Sequence, residues 1–154
     1  MSTAVNSIAQ DKFLHRATDS ITAESIDVQA IVVAARERSA NDKLHYVNSV
    51  SPVDAWRLFS ADAAVLVDVR TAEERKFVGH VAGSVHVAWM TGTSMIKNPR
   101  FVRELEARVE KSSLVLLLCR SGKRSAAAAD AATKAGFTNV FNVSEGFEGD
   151  LDED

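Results

Sequence analysis

The stretch Leu114-Val115-Leu116-Leu117-Leu118-Cys119-Arg120-Ser121-Gly122-Lys123-Arg124-Ser125-Ala126 sets the frame for the whole chain. The run Leu114 to Leu118 is too short for an independent helix and too apolar for a surface ribbon, so it reads as a strand buried on both faces. It stops at Cys119, the single cysteine of the protein. A small, basic turn around Gly122 follows, and then Ala126 to Ala129 with Ala131 and Ala132 give a segment of very high helix propensity. The order is strand, tight loop, helix. In an open parallel sheet, ligands bind beyond the carboxyl ends of the strands, where helix N-termini present unpaired N–H groups. Cys119 stands at that place.

The chemistry follows from the placement. The thiolate is the nucleophilic form of cysteine, and a helix N-terminus and adjacent cations favour it. Both are expected here: a helix beginning near Ser125 turns its positive end toward the loop, and Arg120, Lys123 and Arg124 add fixed charge. The same N–H groups would hold an anionic sulfur or an oxyanion at Cys119. The plainer reading, a small apolar core residue, fits less well, because core cysteines are not normally followed at once by a basic, glycine-containing turn.

The remaining elements read in order. Residues 1–43 carry no proline or glycine. Ile26, Ala30, Val33 and Ala34 fall at helical spacing and predict a helix over about Ala23 to Ser39, while Phe13, Leu14 and Ile21 suggest an earlier, shorter one. A strand is expected at about Leu44 to Val47. Ser51-Pro52-Val53-Asp54 places an N-cap serine before a proline and an acid, opening a helix that buries Trp56 and Leu58 or Phe59. Ala64 to Val69 is the next buried strand, and Thr71-Ala72-Glu73-Glu74 is a capping-box pattern, with Gly79 ending its helix. Ser84 to Ala88 reads as a strand, and Asn98-Pro99 opens a helix whose apolar positions are Phe101, Val102, Leu105 and Val109. After the alanine-rich helix, Gly136 caps and Asn139 to Val143 is the last strand. This alternation predicts an α/β fold: a mainly parallel five-stranded sheet with helices on both faces and right-handed crossovers.

Three segments carry a family resemblance. The loop from Cys119 to Ser125 resembles the active-site loop of the rhodanese sulfurtransferases, in which a cysteine at a strand end is followed four positions later by a basic residue and five later by an arginine. Asp68-Val69-Arg70, then Gly79-His80-Val81-Ala82-Gly83-Ser84, is similar to the family's Asp-Val-Arg and Gly-His-Ile-x-Gly-Ala signatures. Asn142-Val143 leading to Glu145-Gly146-Phe147 resembles its closing strand and glycine turn. The resemblance covers about Leu44 to Asp150, which divides the chain into an N-terminal helical extension, 1–43, and a rhodanese-like domain, 44–154. Ala82 stands where the family often has proline, the loop from Met90 to Lys97 is longer than in the smallest members, and many relatives continue past Asp150 with more chain.

The resemblance implies a sulfurtransferase. Cys119 would attack the outer sulfur of thiosulfate or a similar small anionic donor, carry the sulfur as a persulfide and pass it to a thiol or a protein cysteine, with no metal or organic cofactor. Arg120, Lys123 and Arg124 would attract and orient the donor, and Ser121, Gly122 and Ser125 would supply hydrogen-bond donors. Asp68 and Arg70 would support the loop. His80 matches a position that holds its turn by hydrogen bonds, and Trp89 and Met90 would either wall the pocket or join the core.

Two rivals are open. Rhodanese-like domains also serve as non-catalytic or persulfide-relay protein-binding modules. A related fold carries phosphatases and arsenate reductases whose longer loop has the form Cys-x5-Arg; here the sixth residue after Cys119 is Ser125, which argues against oxyanion hydrolysis. Composition narrows the setting. A net charge of −3 argues against nucleic acid. No apolar run approaches the ~20 residues of a membrane span. A lone thiol suits a reducing compartment, and the N-terminus shows no basic segment followed by an apolar core, so the cytoplasm is expected.

Overall fold

The computed structural model describes residues 28–40 and 48–149. The expected early helix around Phe13 to Ile21 and the expected strand Leu44 to Val47 lie outside these residues. Residues 28–40 form a helix, α1, which carries the boundary between two units, Met1–Ala34 and Ala35–Asp154. Its buried positions are Ile31 and Ala35, one helical turn apart, whereas Val33, expected on the buried stripe, is half exposed.

The second unit is built around a five-stranded sheet. Its strands are β1 (Asn48–Val50), β2 (Val65–Asp68), β3 (Val85–His86), β6 (Leu114–Leu118) and β7 (Asn139–Val143). The spatial order is β1-β7-β6-β2-β3, and every pairing is parallel. The cysteine strand β6 therefore lies in the middle, between β7 and β2. A separate antiparallel pair, β4 (Met90–Thr91) with β5 (Ile96–Lys97), makes a small hairpin out of a segment whose sequence reads as a loop.

The helices are α2 (Pro52–Ser60), α3 (Ala72–Val78), α4 (Phe101–Arg108) and α5 (Lys123–Lys134). Alternation along the strands divides the sheet into two apolar faces. Val67, Val69, Val115, Leu117 and Val140 pack with Phe101 and Leu105 of α4 and with Ala128, Ala129 and Ala132 of α5. The alanines matter for placement: with no side chain beyond Cβ, α5 lies close on β6 and β7, which brings its first turn against the end of β6. Leu66, Leu118 and Val143 turn the other way and line an apolar groove of about 270 Å³ with Ala55, Trp56 and Phe59 of α2.

The local signals account for most helix ends. Ser51 caps α2 by accepting from the Asp54 N–H at 3.1 Å. Thr71 and Glu74 close a reciprocal capping box at α3. Gly136, at φ +101, lets Phe137 N–H reach back to Ala132 O at the end of α5. Leu58 is buried as expected, but Trp56 is 60% exposed. On α2 the inward positions are Ala55 and Leu58, three residues apart, and this leaves Trp56 on the flank.

Candidate active site

β6 ends at Leu118, and Cys119 is fully buried directly after it. Gly122 adopts φ +95, a left-handed conformation open to glycine at little cost. That turn starts α5 at Lys123, two residues before the expected start near Ser125. The sequence misleads here for a physical reason: cations in a first helical turn oppose the helix dipole, so Lys123 and Arg124 read as loop. The early start puts Ser125 on the first turn, facing Cys119. Cys119 Sγ accepts the Gly122 N–H at 3.1 Å and lies 3.2 Å from the Ser125 hydroxyl. Ser125 Oγ is also 2.5 Å from Asn142 Oδ1, and Asn142 Nδ2 donates to Gly122 O at 3.2 Å.

The loop is held from below by the glycine turn after β7. Phe147 N–H donates to Cys119 O at 2.8 Å and Glu148 N–H to Arg120 O at 3.0 Å. Gly146 makes this approach possible. Any Cβ there would sit 2.5 Å from the carbonyl oxygens of both Cys119 and Arg120.

Asp68 and Arg70, at the end of β2, are almost completely buried. Asp68 accepts from the Arg70 backbone N–H at 3.0 Å, from Arg70 Nη2 at 2.8 Å and from Arg75 Nη1 at 2.9 Å. The Arg70 guanidinium also donates to Gly79 O at 2.8 Å and stacks over the Phe147 ring, 4.0 Å from its centroid. Phe147 is the residue whose N–H holds Cys119, so the Asp68–Arg70 pair reaches the loop through one aromatic ring. Among the described residues no buried side-chain nitrogen or oxygen lacks a hydrogen-bond partner.

The basic residues of the loop do different things. Arg124 makes a two-pronged bridge to Glu74 of α3, Nη2 to Oε1 at 2.7 Å and Nη1 to Oε2 at 2.8 Å. That hydrogen-bonded guanidinium, aided by the Thr71 N–H, holds the Glu74 carboxyl down at about 2 against the opposing effect of burial, and in return the Arg124 pKa is raised. Arg120 is exposed and paired with Glu148 at 2.9 Å. Lys123 and Ser121 are exposed beside the turn. The sequence-derived site residues thus lie together around Cys119, with Asp68 and Arg70 one strand away.

One expectation is corrected. His80 is exposed and makes no hydrogen bond among the described residues; its turn is held by Arg70 to Gly79 O and by Ser84 Oγ to Val81 O at 2.6 Å. Of the two places open to Trp89, the structure selects the core: it lies edge-on to Phe101 with centroids 5.0 Å apart. Sequence reasoning also passed over Glu74, seen as a capping residue alone, and over Asn142 and Phe147, seen as family motif positions without a contact. A glutamate fifty residues from its arginine leaves no local signal.

Comparison with known proteins agrees with this architecture. The profile of the Rhodanese-like domain matches residues 51–153. A senescence-associated protein of Raphanus sativus is 30% identical over 118 residues, covering 75% of this chain and 64% of that protein, so the match spans just under two thirds of the relative. Thiosulfate sulfurtransferase 16, chloroplastic, of Arabidopsis thaliana is 35% identical over 102 residues, covering 65% and 83% respectively. The crystal structure of Rv0390 from M. tuberculosis superposes with a TM-score of 0.62 at 42% identity, covering 70% of this chain and 85% of that one. By sequence profile, by relatives and by fold, this chain belongs to the rhodanese-like domain family.

Proposed function

We propose that the chain is a sulfurtransferase that carries sulfur as a persulfide on Cys119. The observation that carries the reading is the sulfur cradle: Sγ at the carboxyl end of the central strand, met by the Gly122 N–H at 3.1 Å and the Ser125 hydroxyl at 3.2 Å. Lys123 supports it, because an exposed cation at a helix N-terminus, with no ion-pair partner among the described residues, works against the dipole unless an anion is to be held there.

In the first step the Cys119 thiolate attacks the outer sulfur of thiosulfate or a similar sulfane donor. The Sγ–S bond forms, the donor's S–S bond breaks, and sulfite leaves with the bonding pair. In the second step a thiophile, a small thiol or a protein cysteine, takes the outer sulfur and restores the thiolate. Cys119 has no exposed surface, so donor entry requires the residues packed around it to give way. A thiol that must stay reduced between turnovers suits a reducing compartment such as the cytoplasm. Among the described residues no helix is long and apolar enough to cross a membrane.

Intact-protein mass spectrometry after exposure to thiosulfate tests the reading. One added sulfur atom is expected on the wild type and none on Cys119→Ser. An unmodified wild type, or turnover of thiosulfate and cyanide surviving in Cys119→Ser, overturns it. Substantial aryl phosphate hydrolysis lost in Cys119→Ser would move the chain to oxyanion chemistry.

A further inference from the structure

We infer that Asn142 is a positioning residue that controls the charge on Cys119 by competing with it for the single hydroxyl proton of Ser125. The inference deepens the reading of Cys119 as the reacting thiol and rests on it. Ser125 Oγ lies 2.5 Å from Asn142 Oδ1 and 3.2 Å from Cys119 Sγ, yet it has one proton to donate. The orientation of the Asn142 amide is fixed by its other end. Nδ2 lies 3.2 Å from Gly122 O, which can only accept, so the oxygen must face Ser125.

Two arrangements follow. With Cys119 as thiol, S–H donates to Ser125 Oγ and Ser125 O–H donates to Asn142, so every group is satisfied. When the thiol proton leaves to solvent, the anion is best stabilised if Ser125 O–H turns to Sγ. That turn leaves two oxygens facing each other at 2.5 Å without a proton between them. Both residues are buried, which excludes water as a ready substitute. Asn142 therefore holds the Ser125 proton on the thiol side, and the same amide anchors the Gly122 carbonyl that shapes the turn.

The charges around this cluster come from several elements: Lys123 and Arg124 of α5, Glu74 of α3 bound to Arg124, Arg120 with Glu148, and Asp68 with Arg70 and Arg75, while Glu145 is exposed and approaches Gly122 through its backbone nitrogen. A substitution at Asn142 leaves all of them in place. The Gly122 carbonyl also keeps its bond from the Ala126 N–H at 3.2 Å.

The test is the ultraviolet absorbance of the Cys119 thiolate at fixed neutral pH, with Cys119→Ser as blank. The single cysteine makes the signal unambiguous, and no sulfur transfer is needed, so failure of this inference and failure of the proposed function are separable. Asn142→Leu, with Asn142→Val as a second variant suited to a strand, should raise the thiolate-to-thiol ratio about 2- to 10-fold, the span expected for one neutral hydrogen bond. The rise should vanish when Ser125→Ala is added. A merely structural role for Asn142 predicts no rise. An unchanged or lower ratio in folded Asn142 variants, or a rise that persists in the Ser125→Ala background, overturns the inference.

Discussion

The charges beneath the Cys119 loop and those at its rim differ in burial, in partners and in what they can contribute. Beneath it, Asp68 and Arg70 are withdrawn from water, and each makes several hydrogen bonds. At the rim, Arg120 and Glu148 form an exposed pair and Lys123 stands in solvent. Exposed pairs contribute roughly 0–1 kcal/mol, whereas removing one partner of a buried pair strands the other charge. Rim charges contribute little to folding and are free to serve solutes, while the lower pair fixes where the loop lies.

Breaking the lower pair should have the largest effect. Asp68→Ala leaves the Arg70 guanidinium buried with its carboxylate gone and also removes the carboxylate from Arg75, which keeps only its bond to Ser84 Oγ, and a loss of about 3–5 kcal/mol is expected in chemical denaturation. Arg120→Ala at the rim should change stability by less than about 1 kcal/mol. Equal losses at the two positions would erase the distinction between them.

Gly146→Ala should come next, acting on position more than on stability. Its φ of +67 is strained for alanine, and the new Cβ meets two carbonyl oxygens of the loop at 2.5 Å. The loop or the turn must shift, and a displacement near 1 Å is expected to lower turnover roughly hundredfold. Wild-type turnover in this variant would show that the loop is not held from below.

Glu74 and Arg124 lie between the two regimes, part-buried and joined by two hydrogen bonds. The Glu74 carboxyl is lowered from 4.5 to about 2 in the folded protein. Its contribution is therefore complete above about 4.5 and is lost as pH falls toward about 2. Glu74→Gln should destabilise by about 0.5–1 kcal/mol above that window, with the difference from wild type narrowing through it. Thermal unfolding across pH checks this, and a constant difference would mean that the bridge does not stabilise the fold.

What the sequence shows of the molecule follows the same division between local and distant causes. Strand β6 appears at its observed limits because a buried parallel strand is a continuous apolar run bounded by turn residues, and β7, Asn139-Val140-Phe141-Asn142-Val143, appears at its limits between Gly136 and the Glu145-Gly146 turn. The capping box at Thr71 and the serine cap at Ser51 are equally local. The hairpin of β4 and β5 is not, since two-residue strands are too short to show alternation. The start of α5 was displaced because Gly122 closes the turn against the preference of two cations. The placement of Cys119, Asp68 and Arg70 at the ends of two neighbouring strands is legible through motif position. Their couplings were not: Arg70 to Phe147, Arg124 to Glu74 and Ser125 to Asn142 join residues that only the folded sheet brings together.

The smallest effect is expected at Lys123, and it sharpens the comparison from the rim. This side chain is exposed and has no ion-pair partner among the described residues, so Lys123→Ala should leave thermal stability essentially unchanged. If the proposed thiosulfate chemistry holds, the lysine acts on a dianion through solvent, where attraction is screened over ~8–10 Å at physiological salt. Lys123→Ala should then raise the thiosulfate KM by about 2- to 5-fold at low ionic strength, as expected for a single exposed charge steering an anion, with turnover number nearly constant. The difference should shrink as salt is added, because screening removes from the wild type what the substitution removes from the variant. Arg124, already committed to Glu74, should behave differently: Arg124→Ala breaks a positioned bridge, so its effect should fall on turnover number and depend little on salt. A KM for thiosulfate that is flat with ionic strength and unmoved by Lys123→Ala would mean that the rim does not gather the donor, and that sulfur reaches Cys119 from a protein partner instead.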